Sequence, residues 1–190
     1  MKLFGRSSYI EIYDNTLSKK ECDLAISSFE NGEKKIGTLG DWKYDFRRKK
    51  DLEIRDRFSN HSLVSNIIRE GLSSCLEKYA TKYGSMSFMS FWEEFDGYNI
   101  QKYDGEDDGY FQWHCEHGHG TICANRVLAW MFYLNDAKCG TEFMYYPTVR
   151  AKMGRCVVWP AGWTHVHRGV TPNKGVKYIA TGWASFTENQ

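Results

Sequence analysis

Along residues 8–14, SYIEIYD, apolar and polar side chains alternate, which predicts a half-buried strand. The period then changes. Ser18 and Glu21 form a capping-box pair, and Cys22, Leu24, Ala25 and Phe29 keep the spacing of one helix face. Residues 34–58 are charged and weakly periodic, with Gly37 and Gly40 as interruptions, and read as a long excursion of the lid or substrate-contacting kind. A second helix is predicted over about 62–82, with Leu63, Ile67, Ile68, Leu72 and Leu76 as its apolar stripe. From Ser87 the texture turns β-branched and aromatic. Strands are predicted near 87–94, 98–103, 110–116, 126–134, 141–146, 155–160, 163–170 and 176–184. Helices followed by about eight short strands indicate an α+β, mainly β chain whose strands close as a sandwich or barrel. With no repeat or linker in view, one domain is expected over 1–190, with helical support over about 1–86 and a β core over about 87–186.

Composition narrows the function classes. A net charge of +1 argues against a dedicated binder of nucleic acid or of a membrane surface. The basic run Arg47-Arg48-Lys49-Lys50 reads as a solvated loop. No stretch approaches the roughly 18 apolar residues of a membrane span, and MKLFGRSSYI lacks the apolar core of a secretory leader. The six cysteines are scattered without a C-x-x-C pair, which fits reduced thiols and a cytoplasmic location.

Candidate chemistry concentrates in WHCEHGHG, residues 113–120. Residues i and i+2 of a strand share a face, so His114 and Glu116 would present an imidazole and a carboxylate side by side, with Trp113 and Cys115 turned away. His117 and His119 alternate with Gly118 and Gly120 and belong to the following turn. Downstream, THVHRG supplies His165 and His167, which strand parity also puts on one face. A histidine, a carboxylate and one distant histidine make the facial triad of non-haem Fe(II), leaving three metal positions open. A three-ligand zinc hydrolase could use the same residues, and in the bland reading these histidines only cap loops. The cupin order, H-x-H followed by glutamate, fails because no acid follows His167 closely.

From Asn99 to Trp183 the chain resembles the 2-oxoglutarate- and Fe(II)-dependent dioxygenases of the prolyl 4-hydroxylase-like branch. The matching pieces run in family order: QKYDGEDDGYFQWHCE, RVLAWMFYLND, GTEF, KMGRCVVWPAGWTHVHRGV and GVKYIATGW. YIEIYDNTLSKKECDLAI resembles the strand, turn and helix that precede the core there, and residues 34–60 match least. The resemblance implies a double-stranded β-helix, or jelly roll, holding Fe(II) through His114, Glu116 and a distal histidine. That histidine is taken as His167, ten residues before Lys177, with His165 as the alternative. It also implies Lys177 as the anchor of the far carboxylate of 2-oxoglutarate, with Tyr133 sharing that carboxylate and Tyr103 as a further contact. Lys174, in the turn PNKG, is expected in water. Thr181, Arg126 and Trp183 are candidate pocket walls without assigned chemistry.

One residue departs from the pattern: most of the family has aspartate where this chain has Glu116, and the added methylene reaches outward by roughly 1.5 Å. The implied reaction couples decarboxylation of 2-oxoglutarate by O₂ to hydroxylation of a C–H bond, with ascorbate as an accessory reductant. A prolyl residue of a peptide or protein is the implied substrate. Free amino acids, other small molecules and a modified nucleobase stay open, because one scaffold serves many substrates. A non-catalytic β-sandwich binding module is the reading from another class.

Overall fold

The computed structural model describes residues 7–39, 44–89, 92–172 and 174–187. The leader reading on the first six residues, and the readings that touch Gly40, Ser90, Phe91 and Asn173, lie outside them. In chain order the elements are β1 (Glu11–Tyr13), α1 (Lys19–Asn31), β2 (Lys35–Ile36), β3 (Lys49–Lys50), β4 (Leu52–Arg57), α2 (Leu63–Lys82), β5 (Trp92–Asp104) and β6 (Gly109–Tyr110). The short helix α3 (Thr121–Ala124) then precedes β7 (Arg126–Tyr133), β8 (Gly140–Phe143), β9 (Val149–Arg150), β10 (Arg155–Pro160), β11 (His167–Gly169) and β12 (Val176–Phe186).

Seven strands make one antiparallel sheet in the order β1-β10-β7-β12-β5-β4-β2. Three more, β11-β8-β9, form a second sheet, and β3 pairs with β6. Strand alternation divides the core into two layers. Trp130 and Phe132 on β7, Cys156 and Val158 on β10, and Ala180 on β12 pack toward the helices. Their neighbours Ala129, Met131, Tyr133, Val157, Trp159 and Ile179 form the inner layer, with Cys139, Phe143 and Val149. The mainly β jelly-roll class expected from the sequence is the fold observed.

The helices start where the caps require. Ser18 Oγ accepts from the Glu21 amide, and the Glu21 carboxylate accepts from the Ser18 amide at 2.7 Å. Ser62 caps α2 by accepting from the Ser65 amide at 3.0 Å. Of the expected stripe Ile68, Leu72 and Leu76 are buried and Ile67 packs half-buried against the core, while Leu63 is 64% exposed; Val64, Cys75 and Tyr79 complete the buried face.

Four expectations need correction. The excursion expected over 34–58 ends early, because β4 pairs with β5 from Leu52↔Lys102 to Arg57↔Gly97 and extends the main sheet. The strands expected at 87–94 and 98–103 are one strand, β5, preceded by a 3₁₀ turn over Gly84–Phe88. Of the 110–116 segment only Tyr110, the last residue of β6, is strand, and His114 makes one isolated bridge. The basic run is not all solvated. Lys49 is buried, with its amine 3.0 Å from Glu53, 3.4 Å from Asp51 and donating to Thr38 O at 3.2 Å. Ion pairing with inward-facing carboxylates outweighs the local charge pattern that suggested a loop. Among the described residues no helix is long and apolar enough to cross a membrane, and all six cysteines are free.

Burial raises the Asp51 carboxyl to about 6 against the opposing pull of Lys49. Lys49→Ala removes the cation from two buried acids and is expected to lower unfolding stability by about 3–5 kcal/mol. Urea unfolding at neutral pH measures this. A loss below about 1 kcal/mol would show that Lys49 does not hold the segment in place.

Candidate metal centre

Three side chains converge on the inner face. The backbones of His114 and His167 exchange two hydrogen bonds, His114 N to His167 O at 3.0 Å and His167 N to His114 O at 2.8 Å. Glu116 is fixed by its amide, which donates to Ala161 O at 3.0 Å. His114 Nδ1 lies 2.9 Å from Gln112 O, and His167 Nδ1 lies 2.9 Å from His165 O. A carbonyl only accepts, so each Nδ1 carries the proton and each Nε2 keeps a free lone pair. Glu116 Oε1 is 3.3 Å from His167 Nε2 and 3.8 Å from His114 Nε2. All three donor atoms lie within 4.8 Å of one another. Ligands about 2.0–2.2 Å from a shared ion sit roughly 3 Å apart, so this set fits a single divalent cation.

The surroundings suit such an ion. Burial, then the neighbouring His167, lowers the His114 imidazole to about 4, so it is neutral at neutral pH. For Glu116, burial alone would raise the carboxyl. The groups around it, the His167 and His114 imidazoles first and the Arg126 guanidinium with them, overcome burial and hold it well below the ordinary carboxylate range. The other carboxylate oxygen, Oε2, accepts from Trp183 Nε1 at 2.7 Å and from Arg126 Nη1 at 3.2 Å. Aromatic rings restrain the imidazoles: Tyr110 stacks on His114 at 3.7 Å, and Trp159 meets His167 edge-on at 5.1 Å.

His165 and His167 do not share a strand face. Trp163–His165 is a 3₁₀ turn, and only His167–Gly169 is strand. Both His165 ring nitrogens are taken, Nε2 by Ser8 O at 2.8 Å and Nδ1 by Thr164 Oγ1 at 2.9 Å, and its ring stacks on Tyr146. The histidine beside His114 and Glu116 is therefore His167. His117 leaves the cluster by donating from Nε2 to Arg126 O at 2.7 Å, and His119 is exposed.

Lys177 lies on the same inner layer. It is 2% exposed, donates to Val170 O at 3.0 Å and stands 4.4 Å over the Tyr103 ring. Among the described residues it forms no salt bridge, and burial lowers its ammonium to about 8. Lys174 is exposed, as expected. Pairings Lys177↔Tyr103 and Ile179↔Tyr133 set Tyr133 diagonally across from Lys177 on one face. The Tyr133 hydroxyl meets Thr141 Oγ1 at 2.8 Å, the Tyr103 hydroxyl donates to Gln101 Oε1 at 3.0 Å, and the Thr181 hydroxyl donates to Trp130 O at 2.9 Å. Sequence reasoning overlooked Tyr110, although the parity that pairs His114 with Glu116 would put it on their face. It also gave no role to Trp159, which alternation in CVVWP turns inward.

Residues 98–185 match the model of the 2OG-Fe(II) oxygenase superfamily. None of the curated proteins compared with the chain matches it. Among solved structures, the viral collagen prolyl hydroxylase of Paramecium Bursaria Chlorella virus-1, in complex with 2OG, is similar with a TM-score of 0.64 at 17% identity, covering 96% of this chain and 98% of that one. A Trichoplax adhaerens prolyl hydroxylase, complexed with a peptide fragment of the hypoxia inducible factor oxygen degradation domain, reaches a TM-score of 0.73 at 16% identity, with 94% and 84% covered. A Pseudomonas putida prolyl-4-hydroxylase gives 0.68 at 14% identity, with 93% and 92% covered. The segment that matches the 2OG-Fe(II) oxygenase superfamily model contains His114, Glu116, His167 and Lys177, and the chain shares the fold of these hydroxylases.

Proposed function

We propose that the enzyme hydroxylates a prolyl residue within a peptide or protein, with Fe(II) held by His114, Glu116 and His167. The observation that carries the site assignment is the convergence of two Nε2 lone pairs and one carboxylate oxygen, each ligand residue pinned by backbone hydrogen bonds. Bound Fe(II), with 2-oxoglutarate and O₂, supplies the oxidising chemistry that ends in a hydroxylated C–H bond. The chain's own residues bind, orient and exclude water.

Lys177 is the group suited to the far carboxylate of 2-oxoglutarate. A buried ammonium without a carboxylate partner is costly, and a bound dianion would relieve that cost through a charge-assisted hydrogen bond. In this reading Tyr133 adds its hydroxyl to the same carboxylate and Tyr103 walls the pocket beneath the amine. Tyr110, Phe143 and Trp159 keep the ligand imidazoles in apolar surroundings. A peptide substrate is supported by the hydroxylases with this fold, one of them complexed with a peptide fragment. It is also supported by apolar side chains exposed on segments flanking the ligands: Met144 and Tyr145 after β8, and Trp163 before β11.

Anaerobic addition of Fe(II) and 2-oxoglutarate should give a visible metal-to-ligand charge-transfer band. His114→Ala and His167→Ala should abolish it and His165→Ala should keep it. A band that survives His167→Ala, or is lost in His165→Ala, overturns the ligand assignment. Succinate formation should rise with proline-containing peptides above the level given by free proline. Equal rates with both would remove the peptide reading.

Lys177→Met should weaken 2-oxoglutarate binding by roughly 10- to 100-fold, the range of one hydrogen bond to a charged group. The sign of the pH effect follows from the lowered lysine. Below about 8 the ammonium is present. As the pH rises above that value the free enzyme has lost the proton that binding needs, so affinity falls toward about tenfold per pH unit. Calorimetric titration with 2-oxoglutarate at several pH values between 6 and about 10 tests both statements. A wild-type affinity that is flat with pH, or a Lys177→Met affinity equal to wild type, places the anchor elsewhere.

A further inference from the structure

Glutamate in place of aspartate raises the question of how the longer side chain is held. Glu116 divides its two oxygens between different partners. Oε1 faces the imidazole Nε2 atoms, at 3.3 Å and 3.8 Å. Oε2 faces the other way, toward Trp183 Nε1 at 2.7 Å and Arg126 Nη1 at 3.2 Å. Arg126 Nη1 also donates to the Glu116 backbone carbonyl at 3.1 Å, so one guanidinium grips both ends of the residue. The two donors support each other, because the guanidinium sits over the Trp183 ring, its central carbon 3.6 Å from the ring centroid. The Arg126 carbonyl in turn accepts from His117 Nε2, which fixes the start of β7 against the turn that follows the ligands.

We infer that Arg126 and Trp183 are positioning residues that take up Oε2 of Glu116 and so hold the carboxylate as a one-oxygen ligand. The inference rests on the Fe(II) site proposed above. A free glutamate carboxylate has one more rotatable bond than aspartate and can turn to offer both oxygens to a cation. Here two N–H donors occupy the second oxygen, so Oε1 alone would be offered to a bound cation. The same donors explain the length of the side chain. An aspartate at 116 would fall short by roughly 1.5 Å, too far to reach both the imidazole side and the indole N–H together.

The test is Co(II) affinity by titration calorimetry, a readout independent of turnover, with thermal melting of each apo variant as the folding control. Trp183→Phe keeps the ring for stacking and removes only the N–H. Arg126→Met removes the charge and Arg126→Lys keeps it. Trp183→Phe and Arg126→Met should each weaken Co(II) binding about tenfold or more, the loss typical of residues that orient a ligand. Arg126→Lys should recover part of that loss. In a Glu116→Asp background, Trp183→Phe should cause no further loss, because the shortened carboxylate no longer reaches the indole. Wild-type affinity in both Trp183→Phe and Arg126→Met, or an undiminished effect of Trp183→Phe on top of Glu116→Asp, overturns the clamp. A wild-type protein that binds no Co(II), or a His114→Ala variant that binds it equally well, overturns the metal centre instead.

Discussion

Two backbone hydrogen bonds between His114 and His167 carry the organisation of this site. They join the segment after β6 to β11 of the smaller sheet, and so bring together imidazoles from distant parts of the chain. The bridge is isolated, with no ladder on either side to hold its register. Register is kept instead by what surrounds it. β11 pairs with β8 through His167↔Phe143, the Glu116 amide is tied to Ala161, and β6 is tied to β3 through Lys49↔Tyr110. A slip of one residue would turn a ligand out of the site, because neighbouring side chains point to opposite faces.

The inner face of the main sheet separates charge by position. At one place stands a carboxylate with its donors, Glu116 between the imidazoles, Trp183 and Arg126. At another stands Lys177, buried over Tyr103 and, among the described residues, in no salt bridge with an acid. Leaving these groups apart is unfavourable for the empty protein, since the ammonium is held to about 8 by burial. The arrangement suits a ligand that carries negative charge at one end and chelates a metal at the other. In the Lys49, Asp51 and Glu53 group on the neighbouring strands one buried ammonium faces both acids, and Arg55 meets Glu53 as well. Charge pairing that closes on itself builds structure, whereas an unpaired buried charge awaits a partner.

What could be read from the sequence was whatever depends on local periodicity. Alternation in RVLAWMFY and RCVVWP divides side chains correctly between the helix layer and the inner layer. The capping pair Ser18 and Glu21 marks the start of α1. Parity between His114 and Glu116 gives the right pairing for an incomplete reason, since the segment is an irregular stretch with a single bridge rather than a strand. The same parity rule fails at His165, where a 3₁₀ turn interrupts the pattern and Ser8 takes the ring. Residues 34–58 defeat local reading because their charges face inward. Lys49, Asp51 and Glu53 look solvated when each is considered alone, and they become a buried group only once β4 pairs with β5. No window of sequence contains that pairing.

The same limit explains why Arg126 and Trp183 stood out as wall residues but without chemistry. Each belongs to a strand whose alternation is legible, β7 or β12, yet their contact depends on how those strands are aligned. The ladder pairs Trp183 with Ala129 and shifts register between Ala184 and Ser185, which is paired with Arg126. A bulge moves one strand against the other by about one residue, enough to carry a side chain from beside a neighbour to over it. Here it accompanies a guanidinium lying across an indole, with both N–H donors aimed at one oxygen. An irregularity that sequence patterns cannot register thus lies beside the residues that hold Glu116. The longer carboxylate is met by residues of β7 and β12, outside the irregular segment that carries it.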